Sequence, residues 1–261
     1  MTTTTTSTPT FAWTKLQQLW HDAPTPSQIL RRLVERVFRP DVDPRTIVEV
    51  CCGATPLSAD LHHLLPFRTV LVDADGAALE RIQTSKDVRA VQTWVTAQHI
   101  KPLIEKHLLG EPLGVLVVDM DGNEFWILQA LLANDDYRPR LVVTKFQDIL
   151  GPQIARTIPY REQFRAWRVP MNREAGECNF AGASLTAFAR FLTPRGYHLV
   201  GLSQAGYTAF FARLEDDSMD LALDPTEWAD VFSRIPKVKD GMTRRYPKVC
   251  DAPWEDVPVE V

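Results

Sequence analysis

An α/β fold built on a mostly parallel sheet, with helices on both faces, is what this sequence predicts, and three observations predict it. Short apolar, β-branched runs alternate with helical patterns from residue 46 to residue 213. Several of those runs end on a carboxylate, as in Val48-Glu49, Val72-Asp73 and Val118-Asp119. The last two runs are separated only by Ser203-Gln204-Ala205-Gly206, short enough for an antiparallel hairpin.

The runs in order are Thr46–Val50, Thr69–Val72, Ala90–Val95, Val115–Val118, Leu141–Thr144, Tyr197–Leu202 and Tyr207–Arg213, which makes seven strands with an antiparallel last one. Helical patterns fall at Leu57–Leu65, Ala77–Ser85, Glu124–Ala133 and Ala183–Leu192. Ahead of the first strand, Phe11, Leu16, Leu19 and Trp20 form one apolar stripe, and Ile29, Leu33, Val37 and Phe38 form a second. Pro24 and Pro26 separate the two, and Ser27 stands where an N-cap would. The expected organisation is a disordered polar tail over 1–10, an N-terminal helical cap over 11–45, the α/β domain over 46–214 and a C-terminal extension over 215–261. Residues 152–178 interrupt the domain as an insertion rich in aromatics and arginine (Tyr160, Phe164, Arg165, Trp167, Arg168), the composition of a lid or substrate-binding element. The extension, with Trp228, Phe232 and Trp254, is expected to pack on the outside of the domain or on a second copy of the chain, so a homo-oligomer is open.

Composition narrows the function classes. In 261 residues, 45% are hydrophobic and 24% charged, ample for a core in an ordinary globular protein. A net charge of −4 and isolated basic pairs (Arg31-Arg32, Arg244-Arg245) give no electrostatic basis for nucleic-acid binding. Cys51, Cys52, Cys178 and Cys250 match neither a disulfide framework nor a zinc spacing, and are expected as reduced thiols in the cytoplasm. No apolar run has the roughly 18 residues of a membrane span, and the polar start, from Met1 to Thr10, does not resemble a signal peptide.

The most informative stretch is Val117-Val118-Asp119-Met120-Asp121-Gly122-Asn123-Glu124-Phe125-Trp126, a buried strand that ends on acids and turns into a helix. It resembles the "SIDIDGNDYW" signature of the FkbM-type group of class I S-adenosylmethionine-dependent methyltransferases. Further pieces fall in the same order. Val95–Ile100 resembles "VTxENI", and Tyr137–Val143 resembles "YRPRVVV". Gly182-Ala183-Ser184-Leu185 with Gly196–Gly201 resembles "GASLxAL…KGYxLVG", and Ala209–Arg213 resembles "NAFFVR". The resemblance covers roughly residues 46 to 213 and implies a Rossmann-like methyltransferase fold. It also implies S-adenosylmethionine as cofactor and a small-molecule acceptor. The chain departs from the family at two places. The loop expected as "VEIGAGDG" reads Val48-Glu49-Val50-Cys51-Cys52-Gly53-Ala54-Thr55, keeping one of three glycines, and Lys145-Phe146-Gln147 replaces a glutamate-tyrosine-asparagine after strand five.

On this basis Glu49, Gly53, Asp73, Thr93 and Asp119 are the expected cofactor-binding residues. Asp73 fits two ribose hydroxyls, with Asp75 as its rival or as a helix cap. Asp119, Asp121, Lys145 and Tyr160 are the candidate catalytic residues. Asp121 and Asn123 could instead merely cap the following helix. Lys145 could pair with these acids, hold a substrate carboxylate or, if burial lowered its pKa, act as a base. A lysine among the acids opposes a divalent metal, and none is expected. Tyr160, Trp167, Asn179 and Ser184 are lesser candidates; His99 and the His62-His63 pair read as structural. The alternatives are a non-methylating use of the same cofactor (aminocarboxypropyl transfer or cyclisation) and a non-catalytic binding protein that keeps the fold.

Overall fold

The computed structural model describes residues 10–39, 41–134, 137–168 and 178–259. The tail over residues 1–9 and the 169–177 part of the insertion lie outside these, as do the side chains of His62, His63, Trp167, Arg168 and Asn179. Seven strands form the central sheet: β1 Thr46–Val50, β2 Arg68–Asp73, β3 Val88–Gln92, β4 Val115–Val118, β5 Leu141–Lys145, β6 His198–Leu202 and β7 Thr208–Ala212. Their order is β3-β2-β1-β4-β5-β7-β6. The first five are parallel, while β7 runs antiparallel to both β5 and β6. This is the Rossmann-like methyltransferase architecture, with β7 inserted between β5 and β6. The strand order turns back between β1 and β4, the crevice where open α/β sheets bind ligands.

Alternation along each strand divides the core in two. Val48, Val50, Val70, Val72, Leu116, Val118 and Val142 face one way, and Ile47, Val115, Val117, Leu141 and Val143 the other. Among the described residues, seven helices cover these faces, with one more at the sheet edge. On the second face lies α2 (Pro26–Val37), which buries Ile29, Leu30, Leu33, Val34 and Val37; α1 (Phe11–Asp22) precedes it and buries Ala12 and Leu16 in the first core. Residues 11–37 therefore supply part of the layered core. At the edge beside β3 stands α3 (Gly76–Leu79). The first face carries α4 (Ile100–Leu108), α5 (Glu124–Leu132) and α6 (Leu185–Leu192), together with α7 (Trp228–Arg234) and α8 (Pro236–Asp240) from the extension.

Several elements differ from the sequence expectation for local reasons. Thr25, not Ser27, caps α2: its hydroxyl accepts from Gln28 N, Gln28 Oε1 accepts from Thr25 N, and Pro26 takes the first helical position. The Leu57–Leu65 pattern becomes a 3-10 turn over Ala59–His63, because the preceding residues are held by a buried carboxylate from β1. The Ala77–Ser85 pattern shrinks to α3, which buries only Ala78 and Leu79 and so has little apolar face to extend. Strand β3 ends at Gln92, opposite Asp73, where β2 itself stops; Trp94 and Val95 lie beyond the ladder. Helix α4 was not anticipated, and neither were α7 and α8.

The extension is bound to the domain at several points. Phe232 packs against Phe146, with ring centroids 6.1 Å apart, and Glu255–Asp256 pairs antiparallel with Arg156–Thr157 of the insertion. Arg140 donates to the Val37 carbonyl and pairs with Glu215.

Gly114 leads into β4 with its amide donating to Thr46 O at 3.0 Å, and a Cβ on it would stand 1.9 Å from the Pro44 carbonyl oxygen. The obstacle is backbone on a neighbouring strand entry, so Gly114→Ala is expected to cost more than about 3 kcal/mol. Gly110 has φ +86 but open space around it, and Gly110→Ala is expected to cost only about 1 kcal/mol. Urea unfolding of both variants checks this; equal losses would mean that the approach of Pro44 does not constrain the strand.

Candidate active site

The site lies at the carboxyl ends of β1, β2, β4 and β5. After β1 the chain turns sharply through Cys51 and Gly53, both in the left-handed region (φ +59 and +58). A cysteine there costs on the order of 1 kcal/mol of strain, at the position where the resembled family has glycine. Glu49, 2% exposed, holds the far end of this loop: its carboxylate accepts from Leu57 N (2.6 Å), Ser58 N (2.9 Å) and Ser58 Oγ (2.6 Å). Burial raises its pKa against the lowering effect of those three donors.

Asp73 holds the near end. Its Oδ2 accepts from Gly53 N at 2.8 Å and its Oδ1 from Asp75 N at 2.9 Å. Asp75 instead caps α3, accepting from Ala77 N and Ala78 N. Asp73 is thus the acid that faces the loop, and Asp75 is the cap of α3. Thr93 follows β3, and its amide donates to the Asp73 carbonyl at 2.9 Å.

Across the crevice, Lys145 at the end of β5 reaches both acids beyond β4: its Nζ is 2.8 Å from Asp121 Oδ1 and 3.4 Å from Asp119 Oδ1. Burial disfavours the ammonium, but attraction from Asp119, Asp121 and Glu124 outweighs it and raises the pKa above the ordinary lysine value. A base role for Lys145 would require the opposite shift. For Asp119, burial raises the pKa although Lys145 opposes the shift. The cap reading of Asp121 and Asn123 also gives way. Asp121 pairs with Lys145, and Asn123 sits at the N-cap without a capping bond, its Nδ2 donating to Arg161 O at 2.8 Å.

The insertion folds over this edge. Trp126 Nε1 donates to Ile158 O, and Trp94 Nε1 to Glu162 O. Tyr160 Oη accepts from Ala97 N at 3.0 Å and donates to Gln98 Oε1 at 2.6 Å. Phe164 lies on Gly122, where a Cβ would come within 2.1 Å of its ring. The structure thus joins Asp119, Asp121 and Lys145 in one cluster and sets Tyr160 apart at the rim, against the 97–98 segment. Ser184 caps α6 through Ala187 N.

Beside the cluster is a cavity of about 410 Å³ between the ends of β4 and β5, the Ala181-Gly182 segment and the extension. Three features of its wall were not anticipated. Glu124, 1% exposed, opens α5 inside the cavity wall, and burial pushes its pKa up to about 8. Asp148 and Arg245 form a buried ion pair between the segment after β5 and the extension. Tyr207 stands between Lys145 and Lys237, whose Nζ lies 4.2 Å from its ring centroid. The acid of Glu124 is visible in the sequence motif, but Gly182, which stands against its Oε2, lies far along the chain. Among the described residues, no group of three or more His, Cys, Asp or Glu is placed to hold a metal ion, and no helix is long and apolar enough to cross a membrane.

No protein-family model matches the chain, and no curated protein does. Among solved structures it is similar to a SAM-dependent methyltransferase from Anabaena variabilis ATCC 29413, at 12% identity and TM-score 0.41, over 78% of this chain and 94% of that one. It is also similar to the glycopeptide N-methyltransferase MtfA complexed with (S)-adenosyl-L-methionine, at 10% identity and TM-score 0.40, over 81% and 98%. Against three others, among them the plantazolicin methyltransferase BpumL in complex with SAH (16% identity, TM-score 0.33, 52% of this chain), it spans 51%, 61% and 55% of their length. Overlays at these scores carry no argument about activity. The fold rests on strand order and register.

Two predictions follow from the buried groups. Glu124 has an ordinary pKa of 4.5 when unfolded and one of about 8 when folded, so its contribution to stability is full below the first value and is lost as pH rises through the second. Relative to Glu124→Gln, the wild type should therefore lose stability between about pH 5 and about pH 9, by at most roughly 5 kcal/mol. Parallel urea midpoints for the two proteins across that range would contradict the burial of this carboxyl. The Cys51 and Cys52 thiols are each pushed up to about 12, first by burial and then by neighbouring carboxylates. At about pH 8, iodoacetamide should label both at least about 10²-fold more slowly in the folded protein than in urea; equal rates would overturn this.

Proposed function

We propose that this chain is an S-adenosylmethionine-dependent methyltransferase of the FkbM-type group that acts on a small-molecule acceptor. The cofactor lies across the ends of β1, β2 and β4, and the acceptor occupies the cavity beside β5. The observation that carries this reading is the 2.8 Å bridge from Gly53 N to Asp73 Oδ2 at the point where the strand order turns back. It draws the loop after β1 against an acid at the end of β2. Among the described residues each Asp73 oxygen takes one backbone donor, which leaves acceptor capacity for a pair of ribose hydroxyls. Asp119, at the end of β4 next to β1, faces the same crevice and suits the ammonium end of the ligand.

Bound there, S-adenosylmethionine supplies an already activated methyl group, so alignment of donor and acceptor accounts for much of the rate. The residues present fit that demand. Glu49 and Asp73 fix both ends of the loop, Lys145 balances the two acids beside the methyl-transfer point, and the insertion shields the edge from water. The lost glycines do not preclude the turn, because Cys51 takes the left-handed conformation itself.

Titration calorimetry with S-adenosylmethionine and S-adenosylhomocysteine tests the reading. Micromolar binding of either is the expected outcome, and Asp73→Ala should weaken it at least about tenfold while the protein remains folded at the titration temperature. A folded protein that binds neither ligand would instead favour a non-catalytic role for the fold.

A further inference from the structure

Glu124 has no part in the reading above, yet its position is unusual. Its carboxyl is 1% exposed in the cavity wall; both oxygens accept from Gly122 N, at 3.2 and 3.3 Å, and its own backbone amide is a second donor. The Oε2 atom faces Gly182, where a Cβ would stand 3.4 Å away. Toward the crevice its charge reaches the Cys51 thiol of the loop after β1; toward β4 and β5 it meets Asp119 and Lys145. Glu124 therefore stands between the crevice proposed for the cofactor and the cavity proposed for the acceptor.

We propose that Glu124 takes the acceptor's proton during methyl transfer, and that the acceptor is an O–H or N–H nucleophile that arrives protonated. This rests on the S-adenosylmethionine reading. As the acceptor's lone pair forms the bond to the methyl carbon, the carbon–sulfur bond breaks with its electron pair left on sulfur, and the acceptor's proton passes to a Glu124 oxygen. No further reactant is required. An acceptor that is already anionic would not need this carboxylate and would be repelled by it.

The carboxyl must first lose its own proton. Its pKa of about 8 leaves it mostly neutral at pH 7 without ligand. Of the charges facing it, Lys145 favours ionisation and Asp119 opposes it; Asp121, on the cavity side, is held by Lys145, and Asp148 by Arg245. A sulfonium placed alongside adds a positive charge that favours the carboxylate, whereas the neutral thioether of S-adenosylhomocysteine does not.

The test is the number of protons released on binding, from calorimetry at pH 7 in buffers of different ionisation enthalpy. S-adenosylmethionine should release on the order of half a proton or more per site beyond S-adenosylhomocysteine. The amino-acid ends of the two ligands carry the same groups, so most of their contribution cancels in this difference. In Glu124→Gln the difference should vanish while both ligands still bind. Equal release by the two ligands in the wild type would overturn the inference and leave the proposed function standing. A difference that persists in Glu124→Gln would assign the proton elsewhere and overturn it too. Failure of both ligands to bind would remove the proposed function, and the inference with it.

Discussion

Lys145 sets the electrostatics of this molecule's working edge. A parallel sheet brings its strand ends to one side, and here those ends carry Glu49, Asp73 and Asp119, with Asp121 and Glu124 just beyond. So many acids in partly desolvated surroundings repel one another unless each is compensated. Lys145 compensates Asp119 and Asp121 directly. Glu49 and Asp73 are held by backbone amides of the loop after β1, and Glu124 remains largely protonated at neutral pH. Three solutions to one problem give the edge its division of labour: a loop clamped by carboxylates, a charge-balanced centre, and a neutral acid in the cavity wall.

The cavity belongs as much to the extension as to the sheet. Arg245 and Asp148 are each about 5% exposed at the side chain, and a buried pair of this kind is costly to break because Asp148 would lose its closest cation while still buried. The pair fixes the Gly241–Arg245 turn against the segment after β5, while Phe232 packs on Phe146 from the same side. From the other side the insertion reaches over β4 through Trp126, Asn123 and Phe164. The cavity is thus shaped by segments outside the sheet, on a scaffold whose strand ends carry the acids.

The centre of the sheet was legible in the sequence because β1 and β4 are short, β-branched and fully buried; both fall within the bounds their apolar runs suggest. Edges and short helices were less legible. Where β3 ends depends on where β2 stops, and α3 is short because little covers it, and neither fact is local. At the site, the strand-end acids and Lys145 were readable, since a charge after a buried run must lie at a sheet edge. The meaning of Asp75 and Asn123 was settled only by hydrogen bonds. Glu124 entered the sequence reading only as the start of a helical pattern, because Gly182, which stands against its carboxyl, is remote in the chain, and the charged wall from the extension carried no periodic signal at all.

The central claim is that the crevice between β1 and β4, clamped by Asp73 and opening toward the Lys145 cluster, is the adenosyl site. A crystal structure with S-adenosylhomocysteine tests it most directly. The account predicts the ribose hydroxyls on Asp73, the adenosyl group along the Gly53 loop, and the thioether sulfur turned toward Glu124 and the cavity. Ligand bound elsewhere, or with its ribose away from Asp73, would contradict it.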